Sequence, residues 1–188
     1  MSSNLLARTI RWSAWEGGEA GLEHVEISPV EGGIELSGVA IGRKESRRFA
    51  LAYRVRVDQT WRTRDARLRT AAGRVLHLES NGQGLWHANG VERPDLQGCL
   101  DIDIAASPVT NALPIRRLGL KAGEGIDIRL CYISVPDLEV TPREQRYTAL
   151  EPGRLYRFES LESGFTAELP VDADGFVLDY PGLFRRLP

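Results

Sequence analysis

The sequence predicts a single β-dominated domain spanning residues 1–188. Three observations carry that expectation. Apolar and polar residues alternate strictly along many short stretches, Gly, Pro and Asn-Gly punctuate the chain at short intervals, and no segment sustains an apolar helical repeat. A length of 188 residues fits one domain, and 42% hydrophobic with 27% charged residues is enough to bury a sizeable core. No low-complexity linker marks a second domain.

Taken in order, Ala7–Trp12 alternates weakly and reads as a first strand, and Trp15–Gly21 (WEGGEAG) is too glycine-rich to be other than a loop. Leu22–Ser28 alternates, with Glu23, Val25 and Ile27 sharing one face, until Pro29 stops it. Gly32-Gly33 turns the chain and Ile34–Ile41 resumes it as the second arm of a hairpin. Arg47–Val57 is the clearest strand, with Phe49, Leu51, Tyr53, Val55 and Val57 opposite Arg48, Ala50, Ala52, Arg54 and Arg56. Trp61–Thr70, Arg74–Ser80 and Gly84–Ala88 follow, separated by Ala71-Ala72-Gly73 and the hairpin signal Asn81-Gly82. In Cys99–Ala105, Leu100, Ile102 and Ile104 share one face and Asp101 and Asp103 the other. Thr110 or Asn111 is placed to cap a short helix through Pro114 to Leu118. Gly125–Val135, Leu138–Leu150, Arg154–Glu159, Phe165–Val171 and Phe176–Tyr180 are further strands.

The formal net charge is −2, so nothing global calls for nucleic acid or an anionic membrane. The distribution is uneven: Arg43–Arg74 holds 11 Lys or Arg against 3 Asp or Glu, an excess of +8, leaving −10 for the rest. Cys99 and Cys131 lie in apolar strands and read as buried free thiols, with no CxxC partner for metal or redox work. The N-terminus has no export signal and no run is long enough to span a membrane, which gives a cytoplasmic expectation.

Two constellations carry chemistry. Around Trp61, Arg62 and Arg64 point together on a strand with the indole opposite, an anion site beside an aromatic platform, although an Arg-rich surface over a core tryptophan accounts for the same residues. Asp101 and Asp103 share a face with Arg116 and Arg117 close by in sequence; paired carboxylates suit acid–base work such as glycoside hydrolysis, and an ion-pair row accounts for them equally. His24, His77 and His87 lack ligand spacing, and no nucleophile elbow, phosphate loop or dinucleotide fingerprint is present, so neither metal nor cofactor is expected.

Read together, GLE at Gly21–Glu23, the strand ending in Trp61-Arg62, GLW at Gly84–Trp86, GCLDIDIAASPVTNALPIRRL at Gly98–Leu118, YISVPDLEV at Tyr132–Val140, Gln145–Tyr147 and the closing VDADGFVLDYPGLFRR resemble a bacterial family called putative glycolipid-binding proteins. The run SPxTNxLPIRR is the most specific element, and Ala112 stands where members usually carry Thr. The resemblance implies a long antiparallel sheet curled into a half-barrel or roll, similar to periplasmic lipoprotein carriers that shelter acyl chains on a concave apolar face. It brings no catalytic residue with it.

The leading expectation is therefore non-catalytic binding of a glycolipid or other amphipathic molecule, with acyl chains against the inward faces of Phe49–Val57, Leu100–Ile104 and Ile126–Tyr132. The binding residues assigned are Trp61, Arg62, Arg64, Trp86, Asp101, Asp103, Asn111, Arg116, Arg117, Tyr132 and Tyr147. The alternatives are a hydrolase or lyase acting on a sugar or lipid through Asp101 and Asp103, and last a nucleic-acid or protein module on the basic stretch. The nucleic-acid reading ranks low because Tyr53 and Trp61 fall opposite their neighbouring arginines.

Overall fold

The computed structural model describes residues 7–15 and 21–188. Residues 1–6, which belong to the segment read as free of an export signal, and residues 16–20 of the WEGGEAG loop lie outside them. The chain runs through β1 (Arg8–Ala14), β2 (Leu22–Val30), β3 (Gly33–Lys44), β4 (Arg47–Asp58), β5 (Thr63–Thr70), β6 (Val75–Ser80), β7 (Trp86–Ala88) and β8 (Val91–Glu92). It continues with β9 (Asp101–Ile104), α1 (Ala112–Leu118), β10 (Gly125–Ile133), β11 (Val140–Glu151), β12 (Leu155–Ser160), β13 (Thr166–Pro170), β14 (Asp179–Tyr180) and β15 (Phe184–Arg186).

The fold is mainly β, as expected, but the strands divide into two sheets. The ten-stranded sheet has the order β14-β15-β1-β2-β3-β4-β5-β6-β7-β8, and the five-stranded sheet, a half-barrel, the order β13-β12-β11-β10-β9. Every pairing is antiparallel except β9 with β10, where Asp101 aligns with Leu130 and Asp103 with Tyr132. The parallel register is possible because the long excursion through α1 returns the chain in the same direction. Pro29 does not end β2, which runs to Val30. β1 pairs with β2 only as far as Ile27, so the missing amide of Pro29 faces no partner there.

β9 is sandwiched. Ile102 and Ile104 pack with Leu51, Val55, Leu36 and Trp12 of the large sheet in one core. The opposite face turns to a second core built from Leu130, Tyr147, Phe158, Leu169 and Tyr180. α1 joins them, giving Ala112 and Leu113 to the first and Ile115 to the second. The helix grows out of a 3-10 turn at Pro108–Asn111 that is capped by Ser107, whose Oγ accepts from the Val109 amide, so the capping residue precedes the expected Thr110 or Asn111. It stops at Gly119, whose φ of 57° is the left-handed C-terminal conformation.

Around Leu51 and Val55 the inner face of the large sheet is filled by the protein's own side chains. Leu51 and Val55, expected to bury acyl chains, instead bury Ile102 and Ile104, and all four are at most 1% exposed. Each contributes about 1.5–3 kcal/mol by leaving water. Among the described residues no helix is long and apolar enough to cross a membrane.

Candidate functional site

Because β9 lies between two apolar cores, the alternation that sends Ile102 and Ile104 one way sends Asp101 and Asp103 into the other. A buried carboxylate needs partners, and the two find different ones. Asp101, with no exposed surface, is gripped by Arg117 from the last turn of α1: Nε donates at 3.0 and 3.1 Å and Nη2 at 2.5 Å. Burial pushes its carboxyl upward against the pull of that guanidinium. Asp103 has no ion pair among the described residues. Gln145 Nε2 donates to it at 2.8 Å and Thr110 Oγ1 at 3.4 Å, and burial again raises it.

A third carboxyl joins them from the large sheet. Glu23 occupies the inward register of β2 and is only 2% exposed. Tyr53 Oη donates to its Oε1 at 2.5 Å, and Ser107 Oγ lies 3.4 Å from the same phenol oxygen. The tyrosine reaches Glu23 by lying flat across Gly38, where a Cβ would stand 2.3 Å from its ring. Burial, outweighing the hydrogen bonds from Ser107 and Tyr53, pushes the Glu23 carboxyl up to about 8, so it is mostly protonated at neutral pH.

Two adjoining cavities open beside these groups. One, of about 530 Å³, is lined by Asp103, Gln145, Asn111 and Ser107 against Phe158, Phe165 and Tyr180, with Arg143 among its lining residues. The other, of about 460 Å³, holds Glu23 against Phe49, Val135, Leu22 and Ile41, with Arg43 and Lys44 also lining it. Ala105, Tyr132, Leu183 and Phe184 line both. Together they form a cleft with largely apolar walls and a base of buried polar groups, and the exposed Glu45 and Glu162 also line it.

The residues assigned from sequence are distributed over five places. Asp103, Asn111 and Tyr132 line the first cavity, and Tyr147 stands behind it, donating from Oη to Asn111 Oδ1 at 2.9 Å. Trp61, Arg116 and Arg117 gather at a separate depression of about 360 Å³, where the Arg116 guanidinium lies 4.4 Å from the Trp61 ring centroid. Trp61 takes a φ of 65°, costly for so bulky a residue, in a turn that Asp58 Oδ1 secures by accepting from the Thr60 and Arg62 amides. Arg62 and Arg64 do not join that depression: Arg62 Nη1 donates to the Gly82 carbonyl and Arg64 Nε to that of Ser80. Trp86 is a core residue with its indole nitrogen donating to the Cys99 carbonyl, and Asp101 is sealed by Arg117 and lines none of these cavities. Asp65, His77 and Glu79 place ligand atoms within 4.8 Å of one another on the outer face, where His77 Nε2 already contacts Asp65 at 2.6 Å and Arg67 stands 3.3 Å from it. Cys99 and Cys131 are buried free thiols.

Sequence reasoning did not assign Glu23, Tyr53, Ser107 or Gln145 to the site. For Glu23 a signal exists: it shares the strand face of Val25 and Ile27, an acid in the apolar register.

No curated protein matches the chain significantly. The crystal structure of a DUF1089 family protein from Pseudomonas aeruginosa superposes with a TM-score of 0.81 at 41% identity, covering 89% of this chain and 92% of that one. Residues 9–186 match the family described as "Putative glycolipid-binding". A match over nearly the whole length, with the same architecture in a relative, shows that the chain belongs to that family.

Proposed function

We propose that the protein binds an amphipathic molecule such as a glycolipid in the cleft between its two sheets, without transforming it. The observation that carries this reading is the pair of adjoining cavities, about 530 and 460 Å³, that set aromatic and aliphatic walls around a buried polar base. Their volumes fall in the range of small-molecule sites, and a few convergent polar groups among apolar ones are what orient an amphipathic ligand. Each methylene placed against Phe49, Phe158 or Phe184 contributes about 0.8 kcal/mol. With the inner face of the large sheet filled around Leu51 and Val55, the cleft is the place left for an acyl chain. Native mass spectrometry of the purified protein, before and after delipidation, tests the reading. Bound lipid that leaves and rebinds is expected, and Ala105→Trp, which fills the joint between the cavities, abolishes rebinding. Absence of both co-purified lipid and rebinding refutes it.

A second reading, hydrolysis of a sugar or lipid, draws on one observation: Glu23, a carboxyl protonated up to about pH 8, lines the same cleft as Asp103. Here Glu23 replaces Asp101 of the pair considered from sequence, because Arg117 occupies Asp101. Turnover of a glycoside and ester panel that disappears in both Glu23→Gln and Asp103→Asn would favour it; equal rates in all three proteins would exclude it.

A further inference from the structure

Most arginines of the basic stretch Arg43–Arg74 lie outside the cleft, Arg43 at its edge excepted, and the fold concentrates them. Alternation along β3, β4 and β5 turns its apolar residues to the core and its arginines outward onto one face of the large sheet. The pairing register then fixes which outward residues are neighbours. Far from the cleft the arginines have acidic neighbours: Arg56 lies 2.6 Å and Arg54 3.7 Å from Glu35, and Arg67 lies 3.3 Å from Asp65. Nearer the cleft, Arg48 aligns with Arg43, and Arg69 with Ala52 and Val75. Neither Arg48 nor Arg69 has an ion pair among the described residues.

Between these arginines lies an apolar strip. Leu22, Ile41 and Ala50 align across three strands, and Val39 and Ala52 align in the next row. Val39 is 50% exposed, Ile41 48% and Leu22 44%, far from the burial their type normally finds in a sheet. The strip is continuous with the cleft, since Leu22, Ile41 and Arg43 also line the cavity that holds Glu23.

We propose that this outer face, beside the mouth of the cleft, docks onto an anionic lipid surface. The charge complements acidic headgroups, the aliphatic side chains suit shallow insertion, and the position delivers the mouth of the cleft to the bilayer. A single-stranded nucleic acid fits the same charge less well. Phe49, Tyr53 and Trp61, the aromatic residues interleaved with these arginines, are turned to the core, so none of the three is presented for bases to stack on. The proposal stands apart from ligand binding, because docking needs no occupant in the cleft.

Co-sedimentation of the full chain with vesicles of phosphatidylcholine, with or without phosphatidylglycerol, tests it. Binding is expected only to the phosphatidylglycerol vesicles and is expected to weaken steeply with salt. Charge reversal by Arg48→Glu with Arg69→Glu lowers affinity by at least about tenfold, taking roughly fivefold per basic residue as the scale. Ile41→Asp lowers it on vesicles while leaving the circular dichroism spectrum of the folded protein in place. Ala105→Trp leaves vesicle binding unchanged, which separates this proposal from the cleft reading. Equal binding to neutral vesicles, no binding to either kind, indifference to the double reversal, or a preference for a single-stranded oligonucleotide at matched salt overturns it.

Discussion

The two carboxylates of β9 face the same way, two residues apart, in the same apolar surroundings, and burial raises both. One end of the strand is closed and the other open. At Asp101 a guanidinium supplies charge, three hydrogen bonds and bulk, and no room remains. At Asp103 an amide and a hydroxyl supply hydrogen bonds without filling the neighbouring space, and a cavity remains. The lesson is that the choice of partner for a buried acid sets more than its ionisation. A cation on a long stem completes a core, whereas small neutral donors hold a carboxyl at the edge of a void.

Replacement of the partners should expose that difference. Arg117→Met strands Asp101 in the core without a cation and is expected to cost about 3–5 kcal/mol in urea unfolding. The next effect concerns Glu23, the acid on the far side of the cleft. Its folded carboxyl binds a proton up to about pH 8, against an ordinary value of 4.5. The folded state therefore holds the proton more tightly, so stability is full below pH 4.5, drains as pH rises, and levels off above pH 8. Glu23→Gln removes this linkage, and the stability gap between variant and parent should open by roughly 3 kcal/mol from pH 5 to pH 8. Parallel curves would contradict a buried neutral Glu23. The smallest change is expected at the open end: Gln145→Met takes one donor from Asp103 at about 1–2 kcal/mol, because the cavity lets water replace it. A loss as large as that of Arg117→Met would erase the distinction between the two ends.

Much of this was legible in the alternation. The face of β4 that carries Leu51, Tyr53 and Val55, and the split of Ile102 and Ile104 from Asp101 and Asp103, follow from a period of two and hold in the structure. The short helix before Gly119 was legible from its turn residues, although Ser107 takes the capping position. Pairing between distant strands was not. Nothing local says that β9 runs parallel to β10, and that register decides that Asp103 meets Gln145 from a strand some forty residues on. The same limit applies to the arginines: Arg62, Arg64, Arg116 and Arg117 look alike in sequence, but only the docking of α1 selects Arg117 for Asp101 and lays Arg116 over Trp61. Whether a concave face is open or filled is likewise a matter of volume summed over the whole chain, which pattern does not encode.

Phe184 packs against both cores and lines both cavities, and it belongs to a strand of only three residues whose pairing joins Arg186 to Trp12. Closing that contact spans nearly the entire chain, so the loop entropy is met late and returned by few hydrogen bonds. The shared wall of the cleft is thus expected to form late and to open early. Amide protons of Phe184–Arg186 should exchange through local opening well before those at the centre of β4, and each opening would merge the two cavities into one.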